Sequence, residues 1–220
     1  MQKRKNSTLF SGILLLAAFA LFTILVRTVD LRPAGESATQ IGFAGINIRF
    51  HSLTGVHLPI YTLTDWLGLV PVFVCLFFAS VGGAQLLRRG SLQKVDGDLL
   101  LLGLYYLFVI LAYLLFEAFP VNYRPILIDG RAEASYPSST TLLVLSVMPT
   151  LSFQAERRLG SAAWKGIIRT GSTLFSLLTV TGRLICGVHW LTDIVGSVLL
   201  SAGLFCCYKG IVLFQSPRES

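Results

Sequence analysis

The stretch LLLLGLYYLFVILAYLLFEAF, Leu99–Phe119, carries a single charged side chain, Glu117, in 21 residues. About 20 consecutive apolar residues make a helix long enough to cross the hydrocarbon core of a bilayer, so this stretch reads as a transmembrane helix. The same texture repeats on either side of it. Apolar runs at about Leu9–Val26 and Trp66–Leu87 precede it, and runs at about Ser139–Phe153, Ile167–Ile185 and Trp190–Phe214 follow. The fourth run is short and contains Pro149. The predicted fold is all-α: one integral membrane domain over residues 1–220, a bundle of six transmembrane helices with both termini on the same side.

Composition agrees. The 220 residues are 54% hydrophobic and 13% charged, against about 25% charged in a typical soluble chain, and the mean hydropathy is +0.71. These values exclude a disordered chain, a soluble enzyme and a secreted disulfide scaffold. Cys75, Cys186, Cys206 and Cys207 lie in or beside apolar runs, without metal-ligand spacing to a histidine, and read as small buried or lipid-facing residues. Lys3, Arg4 and Lys5 ahead of the first run resemble the start of a signal peptide. The run is long for one, and no clear small-x-small cleavage site follows before Arg27, so it reads as a retained signal anchor.

The net charge of +7 is explained by where the charges fall. In a six-helix arrangement Lys3, Arg4, Lys5, Arg88, Arg89, Lys94, Arg157, Arg158, Lys165, Arg169, Lys209 and Arg218 share one side, which is twelve of the eighteen basic residues. Arg27, Arg32, Arg49, Arg124, Arg131 and Arg183 take the other. Cytoplasmic loops carry the excess of Lys and Arg, so both termini are expected in the cytoplasm and the loops after the first, third and fifth helices outside. Basicity is then a topology signal, and no nucleic-acid partner is implied. The longest outer loop, about Arg27–Asp65, is expected to hold a short interfacial helix or a lid.

Polar residues near membrane depth are costly and need a reason. Three clusters fall at the outer helix ends: Tyr123-Arg124-Pro125, Tyr136-Pro137-Ser138-Ser139-Thr140-Thr141, and Arg183 with His189 and Asp193. His189 and Asp193 are four apart, one face of a helix. A carboxylate there fixes the imidazole tautomer and leaves the other nitrogen free to attack or to take a proton; a capped interfacial histidine would look the same. Cys186-Gly187 can break the helix, so that Arg183 ends one helix and His189 opens the next. The guanidinium forks of Arg183 and Arg124 suit phosphate oxygens, although arginines also snorkel to lipid headgroups. Ser138, Ser139 and Thr140 start a helix after Pro137, where free amides and hydroxyls seat an anion or simply cap the helix.

These residues resemble the type 2 phosphatidic acid phosphatase (PAP2) superfamily of membrane lipid phosphatases. Its third motif, S-R-x5-H-x3-D, is matched by Gly182-Arg183, His189 and Asp193; its second, P-S-G-H, by Pro137-Ser138-Ser139-Thr140; its first, K-x6-R-P, by Glu117 and Arg124-Pro125. Motif order and six-helix architecture extend the resemblance over essentially the whole chain. It implies that His189 is the nucleophile of a phosphohistidine intermediate, that Asp193 orients it, and that Arg124, Arg183, Ser138, Ser139 and Thr140 hold the phosphate. It also implies a lipid phosphate or polyprenyl diphosphate as substrate, the bilayer as partner, and a bacterial cell membrane with the site facing outward. No cofactor is implied, and no acidic cluster has the oxygen count that Mg²⁺ or Ca²⁺ needs.

Three positions depart from the motifs. Gly182 replaces serine, Glu117 replaces a phosphate-binding lysine, and Thr140 stands where the resemblance implies a histidine acting as general acid. Threonine cannot protonate an alkoxide near neutral pH, and general acid catalysis is worth about 10²–10⁴-fold. The sequence is therefore compatible with a weakened phosphatase, with one specialised for diphosphates whose leaving group needs no proton, or with a non-catalytic relative that binds anionic lipid headgroups.

Overall fold

A computed structural model describes residues 2–215; Arg218, counted above, lies outside them. In chain order the elements are α1 (Gln2–Val26), strands β1 (Arg32–Ala34) and β2 (Thr39–Ile41), α2 (Ala44–Thr54), α3 (Leu58–Leu67), α4 (Leu69–Arg89), a 3₁₀ turn at Leu92–Lys94, α5 (Gly97–Ala118), α6 (Ser139–Arg158), α7 (Ala162–Ile185) and α8 (Leu191–Gln215). The one departure from all-α is the antiparallel pair β1–β2, with Arg32 opposite Ile41.

Four stretches are long and apolar enough to cross a membrane: Asn6–Val26, Leu58–Arg89, Gly97–Ala118 and Leu191–Gln215. The protein is an integral membrane protein. The sequence reading expected six such helices; α6 and α7 are of spanning length but too polar to count by composition. The reason is internal. α6 buries Thr141, Ser146, Thr150 and Gln154, and neighbouring helices bond Thr150, Gln154 and the Ser146 carbonyl. Tyr105 Oη of α5 donates to the Ser146 carbonyl at 2.9 Å, Tyr106 Oη meets Thr150 Oγ1 at 2.7 Å, and Gln154 Nε2 donates to Tyr208 Oη of α8 at 2.7 Å. α6 is thus the polar axis of the bundle. Pro149 sits inside it, as is tolerated where neighbours and Ser or Thr side chains re-satisfy the backbone, and the run that looked short extends to Arg158.

α1 lies antiparallel to α8 at very close range. A Cβ on Gly12 would stand 2.7 Å from the Cys207 backbone nitrogen, and one on Gly203 would stand 2.8 Å from Leu16 Cδ2. Small residues let backbones approach where lipid gives no hydrophobic drive for association. The register also puts the two helix ends, Gln2 and Gln215, at the same end of the bundle. At that end Asp96 accepts from Gln85 Nε2 at 2.8 Å and pairs with Arg89 and Arg158, while Asp98 pairs with Arg157 and Arg158. These bonds, the one from Gln85 foremost, hold the Asp96 carboxyl down to about 2.

At the opposite end Tyr136 is wedged among α1, α5 and α8. Its ring stacks on Phe19 at 6.2 Å and meets Phe116 edge-on at 5.8 Å. Its hydroxyl lies 2.8 Å from Thr23 Oγ1. Because Tyr136 stands two residues before Ser138, this packing fixes where α6 begins.

Candidate active site

The segment between α5 and α6 folds as a tight hairpin. Tyr123 bridges Ala134 and Ile128 bridges Arg131, around Asp129-Gly130, both with positive φ, the pair that a two-residue primed turn selects. The Arg124 amide donates to the Glu133 carbonyl at 3.0 Å and the Ser135 amide to the Asn122 carbonyl at 2.9 Å. Arg124 is thereby aimed inward, with Nε 3.0 Å from Glu133 Oε2 and one Nη 3.3 Å from His189 Nε2.

The turn from α7 to α8 follows the sequence reading. α7 ends at Ile185, Gly187 takes φ +72°, and α8 opens at Leu191. Only glycine fits at 187, because a Cβ there would sit 1.9 Å from the Gly55 carbonyl oxygen. Asp193, in the first turn of α8, accepts from the Trp190 amide at 2.9 Å and from Asn122 Nδ2 at 3.2 Å. The first is one arm of a capping box. The same Oδ2 is 3.7 Å from His189 Nδ1. A guanidinium N–H directed at Nε2 leaves the ring proton on Nδ1, the side that Asp193 faces. Burial first, then the charges of Arg124 and Arg183, push the His189 imidazole well below its usual value. That shift favours the neutral ring.

Arg183 is 1% exposed, and its neighbours come from α3. Its guanidinium lies over the Tyr61 ring at 4.8 Å, and that of Arg124 is 5.7 Å from the same ring. One Nη of Arg183 is 3.5 Å from Thr64 Oγ1 and 3.7 Å from Asp65 Oδ1. The long segment after α1 holds two helices, α2 and α3. α2 is tied to α8 by Asn47, which accepts from the Thr192 amide at 3.2 Å, and His51 Nε2 meets the Gly187 carbonyl at 3.0 Å. α3 lies over the site. Sequence reasoning missed Tyr61, Thr64, Asp65, Asn122 and Glu133; an aromatic residue four before an acidic one in an outer loop was the only available signal.

The structure thus brings together His189, Asp193, Arg124 and Arg183. Ser139 lines a polar cavity of about 280 Å³ with Tyr113, Glu117, Arg124, Glu133 and His189. Glu117, the charge-reversed motif position, faces the same space as Arg124. Ser138 is fully buried, and its amide, expected to be free for an anion, donates instead to the Asp193 carbonyl at 3.2 Å. The amides after it, in the first turn of α6, have no intrahelical acceptor. Thr140 lines a second, mostly apolar groove of about 570 Å³ between α4, α5 and α6, with Asp65, Val72, Cys75 and Tyr106. Tyr113 and Ser139 border both spaces. A larger groove of about 990 Å³ between α6, α7 and α8 holds none of these residues.

Among the described residues, Arg183 Nε, His189 Nδ1, Ser138 Oγ and Asn122 Oδ1 are buried here without a hydrogen-bond partner, and Arg124 Nε has only its ion pair with Glu133. Buried polar groups are normally satisfied, and unsatisfied ones mark strain, catalysis or an absent partner. Two guanidiniums, a hydroxyl and an imidazole with spare bonding capacity suit a tetrahedral oxyanion. No group of three or more His, Cys, Asp or Glu able to hold a metal occurs among the described residues.

The described residues thus form a helical membrane protein with a buried histidine, two nearby arginines and an adjoining apolar groove. Neither a family profile nor a curated protein matches the sequence. Among solved structures, the chain is similar to the transmembrane PAP2-type phosphatidylglycerolphosphate phosphatase of Bacillus subtilis, with a TM-score of 0.68 at 16% identity over 94% of this chain and 98% of that one. The chain has the fold of a PAP2-type membrane phosphatase.

Proposed function

We propose that the protein is a PAP2-superfamily phosphatase that hydrolyses a lipid phosphate or polyprenyl diphosphate through a phosphohistidine on His189. The observation that carries this reading is the placement of His189 Nε2 beside Arg124, with Arg183 on the same Tyr61 ring. Nε2 attacks phosphorus while the guanidiniums, Ser138 and the first amides of α6 stabilise the charge that develops on the equatorial oxygens. Asp193 holds the ring and steadies the imidazolium character gained on attack. The groove beside Ser139, lined by α4 and α5, supports a lipid rather than a soluble phosphate.

The twelve-to-six division of basic residues supports six spans, with cytoplasmic termini and the site in the outer leaflet. The test is turnover in detergent across a panel of phospholipid and polyprenyl phosphates and diphosphates. Wild type is expected to release phosphate from at least one of them and His189→Ala from none. Equal release by the two proteins overturns the mechanism.

A second reading, a non-catalytic binder of anionic headgroups, is favoured by Thr140, which lines the apolar groove and offers no proton. Tight binding of the same lipids with no turnover by wild type decides for it.

A further inference from the structure

Two of the three departures from the motifs touch one element. A Cβ on Gly182 would fall 2.5 Å from Thr64 Cγ2, and one on Gly68, at the end of α3, would meet Thr140 Cγ2 at 3.4 Å. α3 therefore occupies the room that a side chain at 182 would take and closes on the side chain at 140. From that position it delivers two polar groups. Thr64 Oγ1 and Asp65 Oδ1 stand 3.5 and 3.7 Å from the same Nη of Arg183. Asp65 also lines the groove with Thr140 and Ser139, and its side chain is 60% exposed.

We infer that Asp65 is the proton-transfer residue of this site, supplied by α3 where position 140 has none. The inference rests on the phosphohistidine reading above. A phosphate oxygen held by Arg183 and the Asp65 carboxylate share one guanidinium end, which places the carboxylate at the phosphoryl group and offsets the repulsion between them. In the first half-reaction His189 Nε2 forms the N–P bond, and the bond from phosphorus to the leaving oxygen breaks with its electron pair on that oxygen. In the second, a water oxygen attacks phosphorus. The N–P bond breaks with its pair returning to Nε2, the water proton passes to Asp65, and inorganic phosphate departs. The carboxylic acid so formed gives its proton to the next leaving oxygen and returns to carboxylate. The reaction uses only water and substrate.

The test uses the full chain in detergent with a ³²P-labelled polyprenyl diphosphate and a phosphomonoester, comparing wild type, Asp65→Asn, Asp65→Glu, Asp65→Asn with Thr140→His, and His189→Ala. Loss of a general base or acid costs about 10²–10⁴-fold, so Asp65→Asn is expected to lose at least about 10²-fold in kcat with little change in KM. It should also accumulate acid-labile phosphate on the protein, absent in His189→Ala. Asp65→Glu should keep part of the rate, and the added histidine should recover much of what Asp65→Asn loses. Unchanged kcat in Asp65→Asn overturns the inference. So does a loss confined to KM without phosphoprotein, which would make Asp65 only an anchor for Arg183; in both cases the phosphohistidine reading stands. Full activity in His189→Ala overturns that reading, and the role of Asp65 with it.

Discussion

Restoring the serine of the third motif should harm this protein. In Gly182→Ser the new Cβ would lie 2.5 Å from Thr64 Cγ2 and 3.6 Å from Ile60 Cγ2. Ordinary carbon–carbon contacts lie at about 3.5–4.0 Å, so Thr64 must retreat by about 1 Å. It cannot simply rotate. Threonine is stiff at χ1, and Oγ1 donates to the Ile60 and Tyr61 carbonyls at 2.9 Å while meeting Arg183. The strain passes to α3. Overpacking of this kind costs roughly 1–3 kcal/mol, and for a chain of this size each kcal/mol lowers Tm by roughly 2–4 °C. The expected drop is roughly 2–12 °C, together with weaker binding of orthovanadate, because α3 carries Tyr61 and Asp65. Thr64→Ser removes Cγ2 and keeps the hydroxyl, so the double variant should recover most of both losses, with a coupling of at least about 1 kcal/mol. The assay is thermal unfolding in one detergent with a parallel orthovanadate titration. If Gly182→Ser melts with wild type, or if Thr64→Ser recovers nothing, α3 does not occupy the position argued here.

Single cysteines at Gly90 and Ser161 should react with an impermeant thiol reagent only from the cytoplasmic side, and one at Gly130, on the hairpin tip, only from outside; a cytoplasmic Gly130 refutes the outward site. The depressed pKa of His189 leaves the nucleophile active above that pKa and lost as pH falls through it. The acid limb of kcat/KM should therefore lie below pH 6.5, its ordinary value, and should move up toward it in Arg124→Gln, which removes a charge that depresses it. An acid limb above 6.5 that ignores Arg124 would contradict this. Because Asp65 supplies the proton, Thr140→His in the wild-type background should raise turnover of phosphomonoesters far less than it does in Asp65→Asn. A gain of about 10²-fold from Thr140→His in wild type would show that the site lacks a proton donor and that Asp65 does not serve as one.

The readable parts of this site were local. The spacing of Arg183, His189 and Asp193 survived into three dimensions because Gly187 breaks the chain where the sequence offered a break, and because an acidic residue in the first turn of α8 has both an amide and an imidazole within reach. Pro137 marked the start of α6 for the same reason. The unreadable parts were tertiary. Tyr61, Thr64 and Asp65 meet Arg183 from more than a hundred residues away, and no periodicity in the segment after α1 announces that its second helix packs against Arg183. The Ser138 amide was misjudged because its acceptor, the Asp193 carbonyl, lies on another helix. Composition alone does not count α6 as a span: it is surrounded by helices whose tyrosines bond its polar residues, so its sequence need not look like that of a lipid-facing helix.

The close seam between α1 and α8 also bears on biosynthesis. Gly12 and Cys207 are separated by nearly two hundred residues, so α1 is made long before its partner. Until α8 arrives, the glycine-notched face of α1 meets only lipid, and Tyr136 lacks the wall that Gly196 gives it. Closure of the bundle therefore waits for α8. A chain interrupted before α8 would hold α1 and α3 but neither Asp193 nor the close partner of α1.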